Sequence, residues 1–178
     1  IIVINTFGVP IPDDPKVTGH MGIIDNGPGE MNNLDDPFNG YDGSIGIEIR
    51  GQSSQMFPKK SYALETRDGE GQDLDAALLG LPEESDWVLY APYSDKSMLR
   101  NATSFEIGRL TGHYCTRVVF CELVVNGDYV GVYNLMEQIK KDSNRVDIST
   151  LKEDDILGNE LTGGYIIKVD KIDWDFVY

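Results

Sequence analysis

The chain has 178 residues, 40% of them hydrophobic and 10% aromatic, a globular composition long enough to bury one core and unlike that of a disordered chain. Lys and Arg number 15 against 30 Asp and Glu, so the formal net charge is −15. A field of that sign repels nucleic acid and anionic lipid, and no run of about 20 apolar residues is present to span a bilayer.

Ile1–Asn5 reads as a short buried strand. Residues 6–44 are rich in Pro, Gly, Asn and Asp and read as one long irregular segment, of the kind that is functional or pinned. Asp35, Asp36 and Asp42 within it offer oxygen ligands of the calcium type, but without EF-hand spacing, so a solvated loop is the simpler reading. Ile45–Arg50 alternates, with Ile45, Ile47 and Ile49 on one face. A turn-rich connection, Gly51–Pro58, leads to a second strand, Lys59–Thr66, and the two make a hairpin with a long polar tip.

Asp75–Gly80 reads as a helical turn and Asp86–Tyr90 as a buried strand. Ser94 or Asp95 then caps a helix that runs to about Leu110 and stops at Gly112. Met98, Leu99, Ala102, Phe105 and Leu110 form its expected core face. Arg117–Val125 and Tyr129–Ile139 flank Asn126-Gly127, the strongest short hairpin signal. Residues 140–161 read as a charged loop, briefly helical, and Gly163–Lys171 as a final strand. The expected fold is a single α+β domain over residues 1–178, a mainly antiparallel sheet with one main helix packed on it. Cys121, inside an apolar run, reads as a small core residue, and a bridge to Cys115 stays open. His20 and His113 have no role assigned. Both chain ends read as cut, because each lies in apolar sequence.

Four segments carry a family resemblance: Arg50-Gly-Gln-Ser-Ser-Gln-Met-Phe-Pro-Lys-Lys-Ser-Tyr62; Leu79-Gly-Leu-Pro82 with Asp86–Tyr90; Tyr93–Asn101; and Glu122–Tyr133 continuing to Met136–Lys140 and Arg145–Ile148. Gly163–Lys168 also fits. Together these resemble the CotH kinase family, the spore-coat protein H type, over roughly residues 45–170. The resemblance implies part of a diverged protein-kinase-like fold, ATP with Mg or Mn as cofactor, and serines or threonines of secreted or surface proteins as acceptors, in a bacterial, extracellular setting. The family's catalytic and metal-binding aspartates lie further toward the C-terminus, in motifs like N-x-D-x-Y and W-D-F. Trp174-Asp175-Phe176 has the letters of the second but follows the Gly163 segment too soon, and it is read as coincidence. The chain is therefore expected to be the nucleotide-side part of such a kinase, inactive by itself, with an apolar face able to self-associate. The competing reading is a secreted adhesion or structural module ordered by calcium.

Lys60 shares its strand face with Tyr62 and Leu64, so its charge needs an anion, either a nucleotide phosphate or a carboxylate such as Glu106. The simpler alternative is a snorkelling stem at a strand edge. Lys59 takes the role if register slips by one. Gly51, Ser53 and Ser54 form a turn of the phosphate-cradling kind, and most such turns only reverse the chain. Arg50 precedes it, with Glu48 or Glu65 as structural partners. Met136 and Glu137 sit where the resemblance puts the adenine-binding hinge; the alternative for Glu137 is an ion pair with Lys140. Arg100 near a helix N-terminus implies an anionic partner such as Asp86 or Glu122. Asn101-Ala-Thr103 has the letters of a glycosylation sequon inside a helix and is discounted.

Overall fold

The computed structural model describes residues 1–168. They fall into two compact units, Ile1–Gln138 and one that begins at Ile139. The first unit contains seven strands: β1 (Ile2–Asn5), β2 (Val17–Ile23), β3 (Tyr41–Arg50), β4 (Ser61–Arg67), β5 (Asp86–Tyr90), β6 (Val118–Val125) and β7 (Asp128–Glu137). They close into a barrel in the order β1-β2-β3-β4-β5-β7-β6. Neighbours pair antiparallel except β1 and β6, which run parallel and close the ring.

Alternation along each strand sends one set of side chains into the barrel. Ile2, Ile4, Met21, Ile23, Ile45, Ile47, Leu89, Leu123 and Leu135 are fully buried there, with Trp87 beside them. Each such side chain contributes about 1.5–3 kcal/mol by leaving water. Cys121 lies in the same core, and burial pushes its thiol up to about 12. Both cysteines are free thiols.

The closed barrel overturns the expected α+β layering of a sheet with one main helix packed on it. Two errors explain the difference. First, β2 was hidden in the long irregular segment, because Gly19 and Gly22 interrupt its pattern. Gly22 is required: a Cβ there would lie 2.4 Å from the Phe38 ring that covers it. Second, the helix α1 (Arg100–Leu110) buries no residue. Leu110 is 78% exposed and Ile107 57%. Its apolar residues make no single stripe, since Phe105 and Ile107 leave the helix on nearly opposite sides. A barrel keeps its core inside and needs no helix to cover it.

The expected hairpins are present as β3–β4 and β6–β7. At the tip of the latter, Asn126 (φ 52°) and Gly127 (φ 88°) adopt the left-handed pair that a two-residue hairpin needs. Residues 75–80 are not helical; bridges Arg67↔Asp73 and Ala76↔Glu84 hold that stretch extended. In the second unit the described residues include one short helix, α2 (Asn159–Thr162), and one bridge, Lys141↔Val146. Gly163–Lys168 is not a strand, and 169–171 and Trp174-Asp175-Phe176 lie outside the described residues.

Asn126 also holds the seam of the barrel. Its backbone N–H donates to the Ile4 carbonyl (2.8 Å), its Oδ1 accepts from the Thr6 N–H (2.8 Å), and its Nδ2 donates to Thr6 Oγ1 (3.0 Å). Thr6 is fully buried, so its N–H has no water to fall back on. Asn126→Ala should therefore cost about 1–3 kcal/mol in urea unfolding, the penalty of one orphaned buried donor. Asn126→Asp, which keeps the acceptor, should cost less.

Asp95 organises the start of α1. It accepts from Ser97 Oγ (2.7 Å), Ser97 N (3.0 Å) and Arg100 N (2.9 Å), and the Ser97 hydroxyl leads the effects that hold its pKa below the ordinary 3.8. A lowered folded pKa stabilises above the unfolded value and is lost as pH falls through the folded one. The protection of the Arg100 amide against exchange, relative to its unfolded rate at the same pH, should therefore fall below about pH 4. The Asp95→Asn variant should show no such acid step.

Candidate functional site

Arg50 ends β3 and Ser61 opens β4; the two are Cα partners, so the ten residues between them form the hairpin tip. Within the tip, Ser53–Met56 makes one turn of 3-10 helix. Gly51 is there because its φ is +111° and a Cβ would meet Ser54 Oγ at 2.0 Å. Gln55 ties the turn down: its Nε2 donates to the Gly51 carbonyl (2.6 Å) and to Asp13 Oδ1 (2.5 Å). Ser53 is exposed and Ser54 half-buried.

Lys59 and Lys60 close this tip, and their ammonium groups go to different places, Lys60 to the tip itself and Lys59 to β7. Lys60 Nζ donates to the Gln55 carbonyl. Lys59 Nζ donates to the Val132 carbonyl (2.5 Å) and lies 4.5 Å from the centre of the Tyr133 ring. Burial lowers the Lys59 pKa. A carbonyl dipole and an aromatic face accommodate a cation without neutralising it. Lys60 does not pair with Glu106, which is taken by Arg109.

The ion pairs of the first unit leave a pattern. Lys16 and Arg67 both reach Glu65 (3.6 and 2.5 Å), and Arg100 reaches Asp95 (3.7 Å). Arg117 reaches Glu137 at 2.9 Å. Arg50, Lys59 and Lys60 have no carboxylate within ion-pair distance among the described residues; elsewhere in the unit only Lys96 shares that condition. Glu65, a partner expected for Arg50, is occupied. Arg100 has Asp95 rather than Asp86 or Glu122, and Glu122 accepts from the Tyr129 hydroxyl (2.9 Å).

Strand register places the other candidates. Lys60 directly precedes β4, where Ala63 is level with Val88 of β5, and Val88 with Met136 of β7. These three alternate with the core residues Tyr62, Leu64, Leu89 and Leu135, so they form an apolar row on the outer face of the barrel. All three are buried. Met136 is thus about 10 Å along the strands from the Lys60 level. Glu137 is level with Leu64 and Trp87, one step further and on the inward set. Its side chain is fully buried, and Oε2 also accepts from the Arg117 N–H (3.0 Å). Arg50, Gly51, Ser53, Ser54 and Lys60 therefore share one end of the β3–β4 hairpin, with Lys59 added; Met136 lies a nucleoside's length away, and Glu137 is committed to Arg117.

The early carboxylates do not converge. Asp36 Oδ2 accepts from Asn26 Nδ2 and from the Asn33 N–H, both at 2.8 Å, and the Asn33 N–H leads in lowering its pKa. Asp42 Oδ1 lies 2.8 Å from His20 Nε2. Among the described residues no three His, Cys, Asp or Glu side chains come together as a metal cage. The segment is pinned by its asparagines: Asn39 Oδ1 accepts from the Asp25 N–H (2.7 Å), and Asn39 Nδ2 donates to Asn26 Oδ1 (3.0 Å).

A family model described as CotH kinase protein matches residues 47–177, so most of the chain is covered, and the chain belongs to that family. A search of curated proteins returns no match. The matched segment takes in the cationic hairpin tip, the apolar row and the Arg117–Glu137 pair. No helix among the described residues is long and apolar enough to cross a membrane.

The Arg117–Glu137 pair, with its carboxylate buried and its guanidinium a third exposed, gives a direct check on the structural role of Glu137. Arg117→Met strands a buried carboxylate and should cost about 3 kcal/mol in chemical denaturation. Adding Glu137→Met should recover most of that loss.

Proposed function

We propose that this chain binds ATP with a divalent cation and forms the nucleotide-holding side of a protein serine/threonine phosphotransferase. The observation that carries this is that Arg50, Lys59 and Lys60, which flank one hairpin connection, have no carboxylate partner among the described residues of a chain with net charge −15. In a chain so rich in carboxylates, a group of uncompensated cations is a preformed anion site. Phosphoryl transfer needs mainly such positioning and charge neutralisation.

The resemblance puts the base near Met136, which is buried on the outward set of β7, and the cations are proposed to hold the phosphates. Gly51 lets the backbone approach the phosphates closely. Magnesium and manganese ions are normally held by one or two carboxylates together with substrate phosphates. Here the phosphates would have to bring the ion, whose chemistry is to neutralise charge on the transferred group. Lys59 and Lys60 would hold the phosphates' orientation, and Arg50 offers a bidentate fork to one of them. The acceptor is proposed to be a serine or threonine of a secreted or surface protein, as the resemblance implies.

Calorimetric titration with ATP and magnesium tests this. Lys59→Ala, Lys60→Ala and Arg50→Ala should each weaken binding about tenfold, the loss expected for a charge-assisted hydrogen bond, whereas Lys96→Ala should leave it unchanged. No ATP binding by the parent chain, or an equal loss in Lys96→Ala, would overturn the proposal.

A further inference from the structure

A cavity of about 380 Å³ opens on the outer face of the β6–β7 pair, within the first unit. Strand register builds its floor. Phe120 and Glu122 are on the outward set of β6, since Cys121 between them belongs to the core, and Val132 of β7 is the Cα partner of Glu122. Met31 and Asn32, from the connection between β2 and β3, form a wall. Phe120 is 43% exposed and Met31 79%, so an aromatic ring and a pliable thioether stay open to solvent. Glu122 is exposed as well. Its Oε1 accepts from the Tyr129 hydroxyl (2.9 Å), and Tyr129 is itself 62% exposed. No cation of the described residues lies within ion-pair distance of Glu122. The Ile1 amino group, also at the cavity, donates to the Ile24 carbonyl (2.8 Å) instead. Lys59, which bonds the Val132 carbonyl, lies over the inward Tyr133 ring and does not line the cavity.

We propose that this cavity is a docking site for an arginine side chain of a basic partner protein. A carboxylate beside two open aromatic side chains attracts a cation through its charge and through the ring faces. Guanidinium fits better than ammonium, because its planar fork can bond Glu122 while its face stacks on Phe120. Val132 and Met31 give the methylene stem apolar contact. The net charge of −15 draws a basic surface in from a distance, which favours a protein over a small amine. The inference uses none of Arg50, Lys59 or Lys60, so it stands or falls apart from the ATP-binding proposal.

The Met31 methyl signal in NMR reads occupancy of the cavity directly. Three probes are titrated onto the chain: the end-blocked peptide Gly-Gly-Arg-Gly-Gly, the same peptide with citrulline for arginine, and choline. Citrulline keeps the shape of arginine and removes its charge. The arginine peptide should shift the Met31 methyl, and the citrulline peptide should bind about tenfold more weakly. Glu122→Gln should weaken the arginine peptide about tenfold, the loss of a charge-assisted hydrogen bond. Glu70→Gln, which removes the same charge from an exposed carboxylate elsewhere, should leave it unchanged. Phe120→Leu should also weaken it, and carries the test if thermal melting shows Glu122→Gln unfolded. No binding of the arginine peptide, equal binding of the citrulline peptide, or equal losses in the two glutamine variants would overturn the proposal. Choline binding as tightly as the arginine peptide would overturn it too, in favour of a small amine.

Discussion

The parallel pairing of β1 with β6 is the constraint on which the rest depends. Ile2–Ile4 lie between β2 and β6, and without them the remaining strands would be an open sheet with two unpaired edges. Closure turns isoleucines and leucines from all seven strands into one interior. The Asn126–Thr6 clamp sits at the end of that seam, where the β6–β7 hairpin turns. A single asparagine thus sets the local turn and fastens two strands that are more than 100 residues apart.

Closure also frees the outside of the barrel for work. With the core inside, the outward set of β4, β5 and β7 carries a second buried apolar row, Ala63–Val88–Met136. The β3–β4 hairpin is anchored along its full length by paired strands, and only its tip departs from the ladder. A rigid hairpin carrying a glycine-dependent tip is a way to fix cations in space without giving each a carboxylate. Toward the other end of β7 the Glu137 carboxylate is engaged by Arg117.

Much of this was legible in the sequence. The alternation of Ile45, Ile47 and Ile49 and the Asn126-Gly127 turn identify two hairpins, because both signals are local. Arg50, Gly51 and Lys60 could be grouped because one short connection holds them together. β2 was not legible: its glycines suit close packing under Phe38 and dilute the alternation that marks a strand. Nor was barrel closure, which depends on contacts between the first and the sixth strand. The helix was placed with too large a role because apolar residues were counted without a face that needed covering. The partner of Glu137 was missed for the same reason as closure: Arg117 lies 20 residues away and meets it only across the β6–β7 pair.

The central claim is that the unpaired cations at the β3–β4 tip are an anion site for a nucleotide's phosphates. A crystal structure of the chain with a non-hydrolysable ATP analogue and magnesium tests it most directly. The account predicts phosphate oxygens against Lys59, Lys60 and Arg50, with the base over Met136. Phosphates bound elsewhere, or these three side chains turned onto carboxylates of their own chain, would contradict it.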